Sequence, residues 1–192
     1  MQEKNIKVNV AWNMIKTISS IIFPLITFPY VSRVLLPEYV GKYNFASTYV
    51  SYFSLAASLG ITTYAIRECS IVRDDKEKVS RTASQIFSIN ICSMILSYIV
   101  IFLSLAIFRD LEPYRLAIII LSTSIFFSII GADWLNCAFE DFKFTTIRTV
   151  LFQIFSLVAL FIFVRQPEDY IKYAIITAIA AGGANVMNVF YT

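Results

Sequence analysis

The side chains that could do chemistry in this sequence are few, and most of them stand near the ends of long apolar segments. The chain has no histidine, which removes imidazole acid–base catalysis and the commonest metal ligand. Its three cysteines, Cys69, Cys92 and Cys137, are far apart and form no Cys-x-x-Cys pair. We therefore expect no catalytic residue, no metal site, no cofactor and no disulfide framework.

Charged side chains close to the apolar segments are the candidates for ligand binding. A charge at the middle of a bilayer costs about 2.5–3.5 kcal/mol, so it usually faces a protein interior or an aqueous path. The excess of cations at these positions predicts a cavity of positive potential, suited to an anion such as a pyrophosphate. Snorkelling to the membrane surface is the alternative interpretation. The candidates are Lys16, Arg33, Arg67 and Arg148 for the ligand, and Asp133 and Glu68 for ion coupling.

Uncharged polar residues recur at helical spacing inside the same segments. Asn44, Ser47 and Ser51, for example, follow one another at steps of three and four, which places them on one helix face. Such a stripe either lets helices pack closely or lines a water-filled cavity. We interpret the short serine runs as packing surfaces. The residues that we predict to face a cavity are Lys16, Asn44, Gln153 and Asn185.

Pro24 and Pro29 interrupt the first apolar segment. Each proline removes a backbone hydrogen bond and bends a helix. Freed carbonyls at membrane depth are tolerated only against protein or a cavity. The two prolines predict either a static kink or a hinge that bends during alternating access.

The elements that carry these residues are long apolar segments. Of the 192 residues, 58% are hydrophobic and 15% charged, and the mean hydropathy is +0.70. A soluble domain of this size could not bury so much apolar surface. The few scattered basic residues form no nucleic-acid face. Segments of about 20 apolar residues predict an all-α, polytopic bundle of about six transmembrane helices, at residues 8–35, 43–66, 85–108, 113–132, 145–164 and 170–192.

The connections between these segments predict the orientation of the chain. A break is expected at Leu36-Pro37-Glu38, and the polar stretch from Arg67 to Arg81 reads as one long loop with a short surface helix from Asp75. Lys and Arg are more numerous at the ends that share a side with the N-terminus, which predicts a cytoplasmic N-terminus. That set is Lys4, Lys7, Arg67, Arg73, Lys76, Lys78, Arg81, Lys143 and Arg148, against Arg33, Lys42, Arg109, Arg115, Arg165 and Lys172.

Several motifs occur in the order found in a known family of membrane proteins. They are PLITFPYVSRVL (24–35), GKYNFA (41–46), LGI (59–61), YAIRE (64–68), RDDKEK (73–78), DWL (133–135), EDFKF (140–144) and Ile147-Arg148. Through them nearly the whole chain resembles the polysaccharide-transport flippases, the O-antigen or Wzx-type translocases. These belong to the superfamily of multidrug, oligosaccharidyl-lipid and polysaccharide exporters.

The resemblance implies a transporter of the cytoplasmic membrane and not an enzyme. Such proteins have two six-helix lobes facing a central cavity, and they flip an undecaprenyl-pyrophosphate-linked oligosaccharide between the leaflets of the lipid membrane. Cationic cavity residues are thought to hold the pyrophosphate, and Arg33, Arg67 and Arg148 occupy family motif positions. Lys16 does not clearly occupy one.

The chain also departs from the family pattern. It resembles the N-terminal half alone, so we expect the C-terminal lobe to be absent and the partner to be that missing lobe or a second copy. Leu36 stands where the family usually has glycine before the proline, which puts a tight turn there in question.

Three other functions remain open at this point. A multidrug or cation antiporter of the same superfamily would prefer an acidic cavity, and only Asp133 and Glu68 could serve it. A membrane polymerase or acyltransferase of polysaccharide assembly would commonly need a histidine or a long outer loop, and neither is present. An inactive fragment is the third. The carried glycan cannot be read from the sequence.

Overall fold

The computed structural model describes residues 6–58, 60–72, 75–139 and 141–191, and these are helical apart from short turns. Leu59, Arg73, Asp74 and Glu140, which belong to the motifs above, lie outside the described residues. The helices are α1 Ile6–Ser58, α2 Ile61–Ile71, α3 Lys76–Ile107, α4 Arg115–Gly131, α5 Asp133–Ala138, α6 Phe142–Phe163 and α7 Tyr170–Tyr191, with 3-10 turns at Arg109–Tyr114 and Pro167–Asp169. The predicted all-α membrane bundle is confirmed.

Helix α1 consists of two segments that meet at Leu36. Leu36 has φ 60° and ψ 163°, and it is the one non-helical residue inside Ile6–Ser58. The backbone angles are helical at Pro24 and Pro29, and the break between the two segments lies at Leu36. Pro37 then begins the second segment, where its missing N–H is tolerated. We call residues 6–35 α1a and residues 37–58 α1b.

Hydrogen bonds along α1 show that the chain reverses direction at Leu36. On α1a, the Trp12 carbonyl accepts from Thr146 and the Tyr30 hydroxyl donates to the Val164 carbonyl, so α1a runs parallel to α6. On α1b, Tyr39 contacts Tyr170 and Tyr43 contacts Tyr173 and Thr177, so α1b runs parallel to α7. Since α6 and α7 are consecutive antiparallel helices, α1a and α1b are antiparallel too. All three hydrogen bonds join residues 134 positions apart in the sequence.

Five helical stretches of the described chain are long and apolar enough to cross a membrane. The first, Lys7–Ile71, includes α1a and α1b and would measure about 100 Å if straight, more than twice the thickness of a bilayer. Because α1a and α1b are antiparallel, the described residues offer six crossing segments. We call the end of the bundle with Trp12 and Thr146 the near end, and the end with Leu36 and Val164 the far end.

Two boundaries differ from the sequence prediction. The second predicted segment, 43–66, ends early, because Gly60 adopts φ 65° and separates α1b from α2. The predicted loop from Arg67 to Arg81 is largely helical. Helix α3 begins at Lys76, where the Asp75 carboxylate accepts a hydrogen bond from the Lys78 N–H, so the predicted surface helix is the first part of the third crossing segment.

Glycines allow α7 to approach its two neighbours closely. A Cβ atom on Gly182 would lie 2.6 Å from a ring carbon of Phe127 on α4, and one on Gly183 would overlap the Phe152 ring on α6. On the α4 side, Gly131 leaves room for the Asn185 side chain. These contacts bring the near-end halves of α4, α6 and α7 together, and this is where the charged candidates of α5 and α6 lie.

Candidate functional site

Arg148 and Asp133 form an ion pair at the near end of the bundle. One guanidinium nitrogen of Arg148, Nη2, lies 2.5 Å from Oδ1 of Asp133. The Arg148 side chain is 1% exposed, whereas that of Asp133 is 44% exposed. Both residues were predicted from the sequence, Arg148 for ligand binding and Asp133 for ion coupling. The structure brings them together as one site, with Asp133 between Arg148 and the surface.

The rest of the Arg148 guanidinium has no hydrogen-bond partner among the described residues. Its Nε and Nη1 atoms are both buried and unsatisfied. The nearest aromatic group is the Phe144 ring, whose centre lies 5.8 Å from the guanidinium carbon. A buried donor without a partner costs about 1–3 kcal/mol, so a further acceptor at these two nitrogens would be stabilising. Such an acceptor needs two oxygen atoms, which is the geometry that an arginine fork matches.

A pair of asparagines connects Asp133 to α7. Asn188 is fully buried, and its amide donates to the Gly131 carbonyl and, at 3.4 Å, to Oδ1 of Asp133. Its own oxygen accepts from the Asn136 amide at 2.5 Å. The two side chains thus join the end of α4, the short helix α5 and α7. Asn136 was missed by the sequence analysis, because α5 is too short to show a helical period.

Lys16 on α1a places a third charge at the near end. Burial raises the pKa of the Cys137 thiol, whereas the Lys16 ammonium lowers it and the Asp133 carboxylate raises it further. Lys16 is therefore within electrostatic range of α5, and it is half-buried on α1a. Two cations and one carboxylate leave the cluster of Lys16, Asp133 and Arg148 with a net positive charge. We call these three residues the near-end cluster.

Helix α5 is held in place by an apolar contact with α2 and α3. The core there consists of Ala65 and Cys69 of α2, Ile86 of α3, and Trp134 and Ala138 of α5. The chain enters α5 through Ala132, which has φ 44° and thereby turns α5 away from α4. The side chains that begin α5 are consequently fixed from both sides. Asp133 faces Arg148, and Trp134 packs against α2.

The other candidate residues do not join the near-end cluster. Arg33 is exposed close to the far end, about 25–30 Å from Arg148 by the helical rise along α1a. Arg67 and Glu68 lie on α2 at the near end, exposed and half-buried. The three predicted arginines therefore do not form one pocket in this conformation. The remaining candidates are spread along the bundle: Asn44 is exposed on α1b, Gln153 is half-buried within α6, and Pro24 and Pro29 are exposed on α1a.

Comparisons with known proteins agree with the motifs of the sequence. The model of a family described as "Polysaccharide biosynthesis protein" matches residues 6–191. A protein of Escherichia coli (strain K12) named "Putative O-antigen transporter" is 28% identical over 165 residues, which cover 84% of this chain and 39% of that protein. The chain thus spans about two fifths of the length of this curated relative. No solved structure matches the chain. With its apolar helices and a family match over nearly its whole length, the chain belongs to the polysaccharide biosynthesis protein family of multi-pass membrane proteins.

Proposed function

We propose that this chain is the N-terminal, substrate-binding lobe of a flippase for undecaprenyl-pyrophosphate-linked oligosaccharides. The flippase acts by alternating access in the cytoplasmic membrane and catalyses no covalent reaction. The name of the Escherichia coli relative supports a transport role in O-antigen assembly. The observation that carries the proposal is Arg148, a fully buried guanidinium in a membrane bundle, with two donors that no described residue satisfies.

The near end is the side that receives the substrate in this proposal. The connections rich in lysine and arginine meet there, which supports a cytoplasmic near end and a cytoplasmic N-terminus. Asp133 is half-exposed at this end, so a head group can reach the cluster from the water phase. Arg148 and Lys16 hold the pyrophosphate, and Arg67 on α2 lies exposed at the entrance.

The far end has a different role in the transport cycle. Arg33 lies too far from Arg148 to contact the same head group in this conformation, and it is placed to bind the pyrophosphate when the cavity opens on the opposite side. Asn44 and Gln153 face the path between the two ends together with a second lobe, or with a second copy of this chain. Pro24 and Pro29 lie on the segment that connects Lys16 to Arg33, where a hinge could change the distance between them.

The near-end cluster supports the other functions less well. A cation antiporter needs a carboxylate whose charge is available, and Asp133 is paired with Arg148. Glu68 lies on α2 and belongs to no described ion pair with the cluster. An enzyme of polysaccharide assembly would need a nucleophile or an acid–base pair, for which the cluster of two cations and one paired carboxylate offers no arrangement.

The test is an export assay in a bacterial strain that lacks its own flippase, with the gene that encodes the chain and the rest of its flippase. Arg148→Ala should abolish surface polysaccharide, because a buried phosphate contact is lost. Arg148→Lys should retain part of it, since the charge remains without the fork. Arg33→Ala and Arg67→Ala should also reduce export. Arg109→Ala serves as the control, because Arg109 is exposed in the 3-10 turn at the far end.

Two results would contradict the proposal. Wild-type export in all three alanine variants would show that these arginines only set the membrane topology. Residues 1–192 expressed alone should insert without restoring surface polysaccharide, because the polar faces of α1 and α6 need a partner lobe to close a cavity. Restoration by this chain alone would mean that one lobe, acting as a homodimer, is sufficient.

A further inference from the structure

The Arg148–Asp133 ion pair uses one nitrogen of the guanidinium and one oxygen of the carboxylate. Of the three guanidinium nitrogens, only Nη2 reaches the carboxylate, at 2.5 Å, and the contact uses Oδ1 alone. The same Oδ1 accepts a long hydrogen bond of 3.4 Å from Asn188. A bidentate pair would occupy two donors of the arginine and two oxygens of the carboxylate. The observed pair therefore leaves most of the binding capacity of Arg148 unused.

The two partners differ in how much they depend on each other. Arg148 is 2% exposed and cannot reach water, so it needs an acceptor inside the protein. The Asp133 side chain is 44% exposed and can be solvated without its partner. Separating the Asp133 carboxylate from Arg148 therefore costs the carboxylate little free energy, provided that another anion binds the guanidinium in its place. The nearby Lys16 favours an anion with more charge than a carboxylate.

We propose that Asp133 is an internal counter-ion that occupies Arg148 until the phosphate of a ligand displaces it. The inference rests on the proposed function and adds a competition within the site. In the exchange, two phosphate oxygens accept from Arg148, with Lys16 beside them, and the carboxylate moves into water. Breaking the pair also removes the ion pair between α5 and α6, while the hydrogen bonds of Asn136 to Asp141 and Asn188 still hold α5 in place.

The experiment measures anion binding to the whole chain, purified in detergent micelles, by titration calorimetry with inorganic pyrophosphate. Asp133→Asn should bind pyrophosphate about tenfold more tightly than the wild type if Asp133 leaves the site free about one tenth of the time, because the affinity rises by the inverse of that free fraction. Arg148→Lys should weaken binding in both backgrounds. Far-UV circular dichroism and gel filtration verify folding, and Asp133→Ser replaces Asp133→Asn if the latter does not fold.

A matched control separates competition from a change in net charge. Glu77→Gln removes the same charge at the same end of the bundle, from an exposed position in the first turn of α3. It should leave pyrophosphate affinity within about twofold of the wild type, because solvent and salt largely screen the charge of an exposed side chain outside the cluster. An equal gain in Glu77→Gln and Asp133→Asn would overturn the proposal, as would an Asp133→Asn variant that binds no more tightly than the wild type.

A second comparison identifies the source of the phosphate. Geranylgeranyl pyrophosphate should bind more tightly than inorganic pyrophosphate if the ligand is a lipid head group, and equal affinity would indicate a site for a free phosphate. Geranylgeraniol, which lacks the phosphates, should not compete with either, and competition by this alcohol would contradict an anion site. These titrations require no transport. Tighter binding by Asp133→Asn, together with wild-type export in the Arg33→Ala, Arg67→Ala and Arg148→Ala variants, would therefore uphold the exchange and contradict the proposed flippase.

Discussion

Leu36 has a backbone conformation that a leucine rarely adopts. Its φ of 60° and ψ of 163° lie in a region populated almost only by glycine, and such a conformation costs about 1–3 kcal/mol. The side chain is 51% exposed, so it recovers little of that free energy by burial. The sequence comparison had put a turn at this residue in question because the family usually has glycine there. The structure forms the turn nevertheless, because the contacts of α1a with α6 and of α1b with α7 hold both ends.

Leu36→Gly should therefore stabilise the bundle. We expect a gain of about 1 kcal/mol, somewhat less than the relieved strain, because glycine also increases the entropy of the unfolded chain. Thermal unfolding in detergent, followed by circular dichroism at 222 nm, measures the difference. Leu55→Gly is the matched control: Leu55 is 69% exposed within helical α1b, and the same change there should destabilise by about 1 kcal/mol. A lower melting temperature for Leu36→Gly would show that Leu36 is not strained.

Single residues of the site could be predicted from the sequence, but their pairing could not. Arg148 and Asp133 are visible as charges beside apolar segments. Their contact depends on Ala132 turning the chain by a positive φ and on α5, a helix of 6 residues. Neither feature has a periodic signal. Asn136 was missed for the same reason, and the distance between Arg33 and Arg148 became clear only when both were placed along α1a and α6.

At the scale of the secondary-structure elements, the packing of α7 depends on two adjacent glycines. Gly182 lies against Phe127 of α4 and Gly183 against Phe152 of α6, so one short stretch of α7 contacts two helices without intervening side chains. Small residues allow this approach between membrane helices, where the hydrophobic effect contributes little to association. The position of α7 in turn places Asn188 against Asp133 and Gly131.

Gly183→Ala should loosen this packing. The added methyl group overlaps the Phe152 ring, and overpacking of this kind costs about 1–3 kcal/mol. Phe152→Leu should restore part of the loss in a double variant, which a double-mutant cycle of melting temperatures in detergent would detect. Gly41→Ala is the control, because no atom lies within 4 Å of its added methyl group. It should stabilise helical α1b by about 0.5–1 kcal/mol. Equal effects of the two glycine substitutions would contradict the packing explanation.

The helices themselves were largely predictable from apolar length, and the errors have local causes. Gly60 ends α1b inside a segment whose composition remains apolar, so hydropathy carried the prediction on to residue 66. At the start of α3 the polar residues after Asp75 suggested a short surface helix separate from the crossing segment. They are good helix formers behind an N-cap, and they extend the crossing helix to 32 residues, about 48 Å. Composition therefore predicted which segments cross the membrane, while capping residues determine where the helices begin and end.

At the scale of the whole molecule, the alternation of the six crossing segments predicts which connections share a side. Glu77 and Glu112 are both exposed, the first near the near end and the second in the 3-10 turn at the far end. In a variant with Cys69, Cys92 and Cys137 replaced by alanine, a membrane-impermeant maleimide should label Glu112→Cys in intact cells. It should label Glu77→Cys only after the cells are permeabilised. The reverse pattern would place the N-terminus outside and refute the proposed orientation.

Three hydrogen bonds join α1 to residues that follow 134 positions later in the sequence, and this separation has a consequence for biosynthesis. Trp12, Tyr30 and Tyr43 bind residues of α6 and α7 that the ribosome has not yet made when α1 enters the membrane. At about 5–20 residues per second, α1 waits about 7–27 s for those contacts. During that interval the reversal at Leu36 lacks the contacts with α6 and α7 that hold its two ends. Helix α1a must therefore be held by lipid or by the insertion machinery until the last hairpin arrives, whereas α1b can pack on α3 and α4 before then.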